Sequence, residues 1–358
     1  MNIQPGLVVL LGSGETSATI RKVYHWLFER SGSSIHIGIL ETPAGFEPNS
    51  DSVAGSIADF VKQRLQNFQP RISVIPARKR GTAFSPDDPD ILAPLLEANV
   101  IMMGPGSPSY AVRQLRASLA WHTLTARHRL GADLIFASAA TIASSAHALP
   151  VYEIYKVGED LHWKPGLDLL EPFGLSLVFI PHWNNNDGGT ELDTSRCYMG
   201  KARFDQLVGM LPAEPTIVGI DERTALIIDL ATGVAQIMGI GNVSVVRDGQ
   251  GEVFASGQVF DLCELGSFQH LPDPLTGIPS QVWDWVVTPQ NEVEQQEERA
   301  LTPSVEVLCL LEERTTARAH KDWARADALR GEIEAMGWQV LDTPEGPKLE
   351  PVCKPCGS

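Results

Sequence analysis

Six short apolar runs, each stopped by a glycine, a proline or a polar residue, constrain the fold of this chain more than any other feature. They are "LVVLLG" (Leu7 to Gly12), "IHIGILE" (Ile35 to Glu41), "ISVIPA" (Ile72 to Ala77), "VIMMG" (Val100 to Gly104), "DLIFA" (Asp133 to Ala137) and "LSLVFIPH" (Leu175 to His182). Runs of this length without internal polar alternation are strands buried on both faces, and the amphipathic stretches between them are the helices that cover those faces. The pattern predicts an α/β domain on a mainly parallel sheet. After Pro215 the text changes to "TIVGIDERTALIIDLATGVAQIMGIGNVSVVRDGQGEVFASG", whose alternation and Asp-Gly turns predict a closing set of antiparallel strands.

In a sheet of this kind the ligand crevice lies beyond the carboxyl ends of the strands, so chemistry is sought in the residues that end each run. Four loops stand there. "GSGET" (Gly12 to Thr16) is a glycine-rich turn that lacks the third glycine of a dinucleotide fingerprint. "GPGSPSY" (Gly104 to Tyr110) can aim backbone N–H groups into the crevice, although Pro105 removes one donor. "FASAATIA" sets Ser138 between a strand and a run of small residues that can open a helix, with Phe136 and Ala140 where a nucleophile elbow normally keeps glycines. "IPHWNNNDGG" places His182 at the end of an apolar strand. A serine nucleophile needs a neutral imidazole within hydrogen-bond reach, and adjacent strand ends of one sheet are expected to supply it. The bland alternative for Ser138 is an ordinary helix N-cap.

These motifs, "GSGE", "GPGSPSYAVRQL", "ASAATIA" and "PHWNN", resemble in order and spacing the dipeptidase E and cyanophycinase family of serine peptidases, over roughly Leu7 to Val246. The resemblance implies a three-layer, class I glutamine amidotransferase-like (flavodoxin-like) fold with a mainly parallel sheet. It implies Ser138 as nucleophile and His182 as general base, with an oxyanion hole from Gly104, Gly106 and the Ala139 N–H. For the third member of the triad Glu153 is at a plausible separation from Ser138, with Asp160 as competitor. Asn184, Asn185 and Arg196 are expected to wall a substrate pocket, Arg196 or Arg203 recognising a substrate carboxylate. The chemistry implied is exopeptidase-like cleavage of a small peptide or aminoacyl substrate through an acyl-enzyme, with no metal and no organic cofactor. The competing reading is a catalytically silent binding domain of the same fold.

A further stretch, "LLEERTTARAHKDWARADALRGEIEAMGWQVLDTPEGPKLEP", resembles the small C-terminal piece of cysteinyl-tRNA synthetase through its "ER..AR...KDW..AD..R" helices (Glu313 to Arg330) and its "DTPEG" hairpin (Asp342 to Gly346). None of the synthetase's catalytic or zinc-binding sequence accompanies it. The basic residues Arg314, Arg318, Lys321, Arg325 and Arg330 are interleaved with acids, a pattern of local ion pairs on a helix face, so a packing or partner-docking role competes with tRNA contact. The domain reading is a peptidase-like domain at 1–262, a surface-packed linker at 263–304, a helical pair with a β-hairpin at 305–351, and a flexible tail at 352–358.

Charge and cysteine content narrow the setting. The 28 Lys and Arg residues against 44 Asp and Glu give a net charge of −16, which disfavours a general binder of phosphate backbones. Five scattered cysteines do not make a disulfide framework, and the lone CxxC of "CKPCGS" falls short of a metal site. The amino terminus lacks a basic n-region, and its apolar run is too short for a signal peptide or a membrane span. A cytoplasmic protein without membrane attachment is expected, and homo-oligomerisation is left open.

Overall fold

The computed structural model describes residues 4–32, 34–212, 215–247, 249–271, 273–288, 303–343 and 346–351. Two compact units divide the chain, Met1–Val286 and Val287–Ser358. The segment from 263 to 286, expected as part of a linker, therefore belongs to the first unit, where Leu262 and Leu265 are core residues and Trp283 and Val286 are buried. Residues 289–302 and the CxxC tail lie outside the described residues.

The strands of the first unit are β1 (Val8–Leu11), β2 (His36–Leu40), β3 (Arg71–Ile75), β4 (Val100–Met103), β5 (Asp133–Ala137), β6 (His147–Ala148), β7 (Lys164–Pro165), β8 (Leu177–Ile180), β9 (Thr216–Ile220), β10 (Thr224–Asp229), β11 (Val234–Gly239), β12 (Asn242–Arg247), β13 (Gln250–Ala255) and β14 (Val259–Asp261). Eight of them form one sheet in the order β14-β11-β10-β1-β5-β4-β2-β3. Its β1-β5-β4-β2-β3 half is parallel and its β14-β11-β10-β1 pairings are antiparallel. A second sheet runs β13-β12-β9-β8, with only β8 and β9 parallel. The strands after Pro215 thus do not close one sheet: β10, β11 and β14 extend the first, and β9, β12 and β13 build the second.

Alternation along the strands decides which layers meet. Val8 and Leu10 of β1, Ile101 and Met103 of β4, and Leu134 and Phe136 of β5 face a core shared with Phe179, Val218, Ile220 and Val243 of the second sheet. Their sequence neighbours Val9, Leu11, Ile135 and Ala137 face the opposite side. That side is covered by α1 (Ala18–Ser31) and α2 (Ser50–Arg64), while α3 (Pro89–Glu97) and α5 (Leu119–Arg129) bury Leu92, Leu95 and Leu124 on the first. The outer face of the second sheet, with Val178, Ile180 and Ile217, packs on α4 (Pro108–Leu115), α6 (Ala139–Ala143) and α7 (Lys201–Val208). Side-chain caps start several of the helices. Ser17 accepts from the Ile20 N–H, Ser107 from Tyr110 with Pro108 at the first helical position, and Ser118 from Trp121. A final helix, α8, covers 280–288.

The second unit has α9 (Val305–Ala319), α10 (Trp323–Ala335) and the antiparallel hairpin β15 (Trp338–Thr343) and β16 (Gly346–Pro351). Its small core joins Val307, Ile333, Trp338 and Val340. Arg314 is buried and donates to both oxygens of Asp342, at 3.0 and 2.9 Å, and Arg318 reaches the same carboxylate. Arg325 and Arg330 pair with Glu313 and Glu334, so the basic residues of this unit are largely engaged within it. The tip of the expected "DTPEG" hairpin, residues 344–345, lies outside the described residues.

At the carboxyl ends of β1 and β8 one residue ties the two sheets of the first unit together. Gly12, just past β1, donates to the Thr224 carbonyl at 2.9 Å and accepts from the His182 N–H at 3.1 Å. A Cβ at this position would stand 2.0 Å from the Asp221 carbonyl oxygen, so no other residue fits without moving backbone. Gly12→Ala is expected to lower the unfolding free energy by about 1–3 kcal/mol, measured by urea denaturation of the full chain.

Candidate active site

Ser138 follows β5 with φ +52° and ψ −109°, a backbone conformation that L-residues rarely adopt. Such strained turns collect at functional sites, where surrounding packing holds them in place. Neither Phe136 nor Ala140 has a positive φ. The Phe136 ring is buried in the core between the sheets and Ala140 is fully buried in α6, so the tight strand-to-helix turn closes without glycine at either position.

Ser138 Oγ lies 3.0 Å from His182 Nε2. The two residues do not sit on adjacent strands of one sheet, as the motif spacing suggested. β5 pairs with β1 and β4, whereas β8, which delivers His182, pairs with β9 in the second sheet. The histidine reaches the serine because its own N–H is held by the Gly12 carbonyl and that of Trp183 by the Ile220 carbonyl at 3.1 Å. His182 itself has φ +52°, which turns the chain sharply out of the strand.

The other ring nitrogen, Nδ1, is 3.0 Å from Glu222 Oε1. Glu153, the acid expected from sequence separation, is elsewhere: its Oε1 accepts from Lys164 Nζ at 3.0 Å and it lines a neighbouring cleft. Asp160, its competitor, contributes a backbone carbonyl to His162 Nδ1. Glu222 occupies the turn between β9 and β10, and the tertiary split of those strands between two sheets is what points this turn at β8. Ser13 Oγ accepts from the Arg223 N–H at 3.2 Å, so "GSGET" supports the carboxylate-bearing turn rather than forming a ligand loop.

Glu222 also accepts from Asn185 Nδ2 at 2.9 Å, while its N–H donates to Asn184 Oδ1 at 2.8 Å. Both asparagines therefore stand behind the histidine and fix its acid, and neither lines the pocket. Arg196 likewise is not a pocket residue. Its guanidinium lies 3.7 Å from the centre of the Trp183 ring and donates to the Trp183 carbonyl. Arg203 donates to the Met199 and Tyr198 carbonyls. These arginines are engaged in shaping the loop after β8, whose residues Arg196, Cys197 and Tyr198 all have positive φ.

The pocket that holds Ser138 and His182 has a volume of about 540 Å³ and includes Gly106, Ala139, Tyr155 and Tyr198 on its walls. Gly106 has φ +146°, and a Cβ there would meet the Pro43 carbonyl at 2.1 Å, so glycine alone permits this loop to pass. Gly104, expected beside it, is turned away into a small cavity with Glu41 and Ile57. Ala139 is the first residue of α6, where a helix leaves its N–H without an intrahelical acceptor. Cys197 also lines the pocket, but burial pushes its thiol up to about 12, which makes it a poor nucleophile. Among the described residues no group of three or more His, Cys, Asp or Glu side chains converges as a metal site requires, and no helix is long and apolar enough to cross a membrane.

The fold has a counterpart among solved structures. A solved structure described as a peptidase from an acI-B1 Actinobacterium superimposes with a TM-score of 0.59 at 20% identity, covering 73% of this chain and 98% of that one. The C-terminal segment has a separate kinship: residues 300–346 match the cysteinyl-tRNA ligase anticodon binding domain family. Cysteine–tRNA ligase 1 of Burkholderia lata is 58% identical over 43 residues, 12% of this chain and 9% of the ligase. The enzyme of Salinibacter ruber is 43% identical over 72 residues, 18% of this chain and 14% of the ligase. The chain thus spans only about a tenth of the length of these curated relatives.

The hydrogen bond from His182, reinforced by that from Asn185 and by the charges of His182 and Arg223, holds the Glu222 carboxyl down at about 2 despite its partial burial. A carboxylate whose folded value is depressed stabilises the protein above its unfolded value, about 4.3, and that contribution disappears as pH falls through the folded value. The stability gap between wild type and Glu222→Gln is therefore expected to be full at neutral pH and to shrink between about pH 4.3 and about pH 2. Urea unfolding across that range checks the sign.

Proposed function

We propose that the first unit is a serine hydrolase of exopeptidase type. Ser138 Oγ attacks the scissile carbonyl while His182 Nε2 takes its proton, and Glu222 holds the Nδ1–H so that the imidazole keeps the tautomer this requires. The N–H groups of Gly106 and Ala139 receive the oxyanion. His182 then returns the proton to the leaving group, and water, activated by the same imidazole, releases the acyl group from Ser138. One observation carries this reading: a serine on a positive-φ turn linked through histidine to a carboxylate by two contacts of 3.0 Å, at the mouth of a pocket. A serine serving only as a helix cap would bond the N–H groups of the next turn, and Ser138 makes no such bond.

A fluorophosphonate probe is expected to label the wild type and not Ser138→Ala, read by intact-mass spectrometry. Glu222→Gln is expected to slow labelling by about 100-fold or more, because the imidazole loses the group that orients it. Equal absence of labelling in wild type and Ser138→Ala would instead favour the silent binding domain.

For the second unit we propose tRNA contact, supported by its match to an anticodon-binding family. Because Arg314, Arg318, Arg325 and Arg330 are bonded to carboxylates, few phosphates can be neutralised there. The affinity for bulk tRNA is expected to fall with salt at a slope equivalent to about two phosphates or fewer, and to vanish on deletion of residues 305–358. Filter binding across a salt series measures both.

A further inference from the structure

Beside the Ser138 pocket lies a larger cleft of about 720 Å³ that does not contain the serine. Tyr152 and Lys156 line both, so the two spaces meet across these side chains. The cleft combines aromatic faces with cations. Phe46 and Tyr152 are 48% and 38% exposed and stand in the same cleft. Phe46 and Tyr110 lie with ring centres 5.1 Å apart, and the Arg113 guanidinium covers Tyr110 at 5.1 Å. Lys164 is neutralised by Glu153, and Glu47 adds a second acid to the wall. Among the described residues no carboxylate forms an ion pair with Arg113 or Lys156. Exposed rings interleaved with unpaired cations are the chemistry of a site that stacks a base and holds its phosphate.

The pocket on the other side of Tyr152 offers a different chemistry. Asp187 lines it and accepts from the Tyr198 hydroxyl at 2.9 Å, and Tyr155 and Tyr198 stand with ring centres 5.4 Å apart. A carboxylate in a pocket that also carries aromatic rings suits an ammonium group. We propose that the chain hydrolyses the aminoacyl ester of a tRNA, with the terminal nucleotide in the Phe46–Tyr152 cleft, the ester carbonyl at Ser138 and the free amino group at Asp187. This rests on the hydrolase reading above. Ser138 Oγ bonds to the ester carbon and the bond from that carbon to the ribose oxygen breaks. The ribose oxygen leaves with the proton that His182 took from serine. A water then adds to the aminoacyl-serine, returning Ser138 and the free amino acid.

The test follows release of radiolabelled amino acids from bulk charged tRNA by the full chain, alongside fluorophosphonate labelling of Ser138 with and without adenosine 5′-monophosphate. Release that disappears in Ser138→Ala is expected, and the nucleotide should slow labelling. Tyr152→Ala and Arg113→Ala should each raise KM for charged tRNA about tenfold with kcat changed by less than about threefold. A labelled Ser138 that leaves charged tRNA intact and ignores the nucleotide overturns the substrate assignment while the hydrolase stands. Cleavage of a randomised tripeptide mixture in place of charged tRNA does the same. An unlabelled Ser138 overturns the hydrolase and with it the ester chemistry. The nucleotide site is then decided alone by equilibrium dialysis of adenosine 5′-monophosphate, where loss of binding in Tyr152→Ala supports it and no binding to wild type removes it.

Discussion

The two hydrogen bonds of Gly12 are the constraint on which the site depends. The serine belongs to the large sheet and the histidine to the small one, and their approach to 3.0 Å is settled by how the carboxyl ends of β1 and β8 and the amino end of β10 are tied. The core between the sheets sets their separation. Phe136, Phe179, Val218 and Ile220 fill that space with no exposed surface to speak of, and cores packed this densely transmit displacement rather than absorb it. Gly12 fixes the remaining freedom, the sliding of one sheet end over the other.

Much of the fold was legible because the parallel strands are continuous apolar runs with clear stops. The six runs correspond to β1 to β5 and β8, and Ser107, Ser118 and the prolines mark helix starts. What could not be read was pairing. Nothing in "LSLVFIPH" says that it joins "TIVGI" in a separate sheet, because both a central strand of the large sheet and a strand between two cores look equally apolar. The misplacement of His182 in the expected sheet followed from that ambiguity.

The same limit explains the acid. Glu153 has a plausible distance along the chain from Ser138, but triad geometry is spatial, and its carboxylate is committed to Lys164. Glu222 carried a signal of its own, being with Asp221 one of two acids just beyond the end of β9 in "GIDERT", at the sheet end where chemistry gathers. Asn184, Asn185 and Arg196 lay in the right loop, yet their partners, Glu222 for the asparagines and Trp183 for the arginine, are set by tertiary contacts that no local propensity announces.

The division of Ser138 and His182 between two sheets makes their distance a gauge of the registry between layers. A change far from the pocket that thins or thickens the shared core, at Phe179 or Val218 for instance, moves one half of the pair against the other before it unfolds anything. The geometry of this pair is thus coupled to the whole interior, and the core is as much a part of the site as the pocket wall.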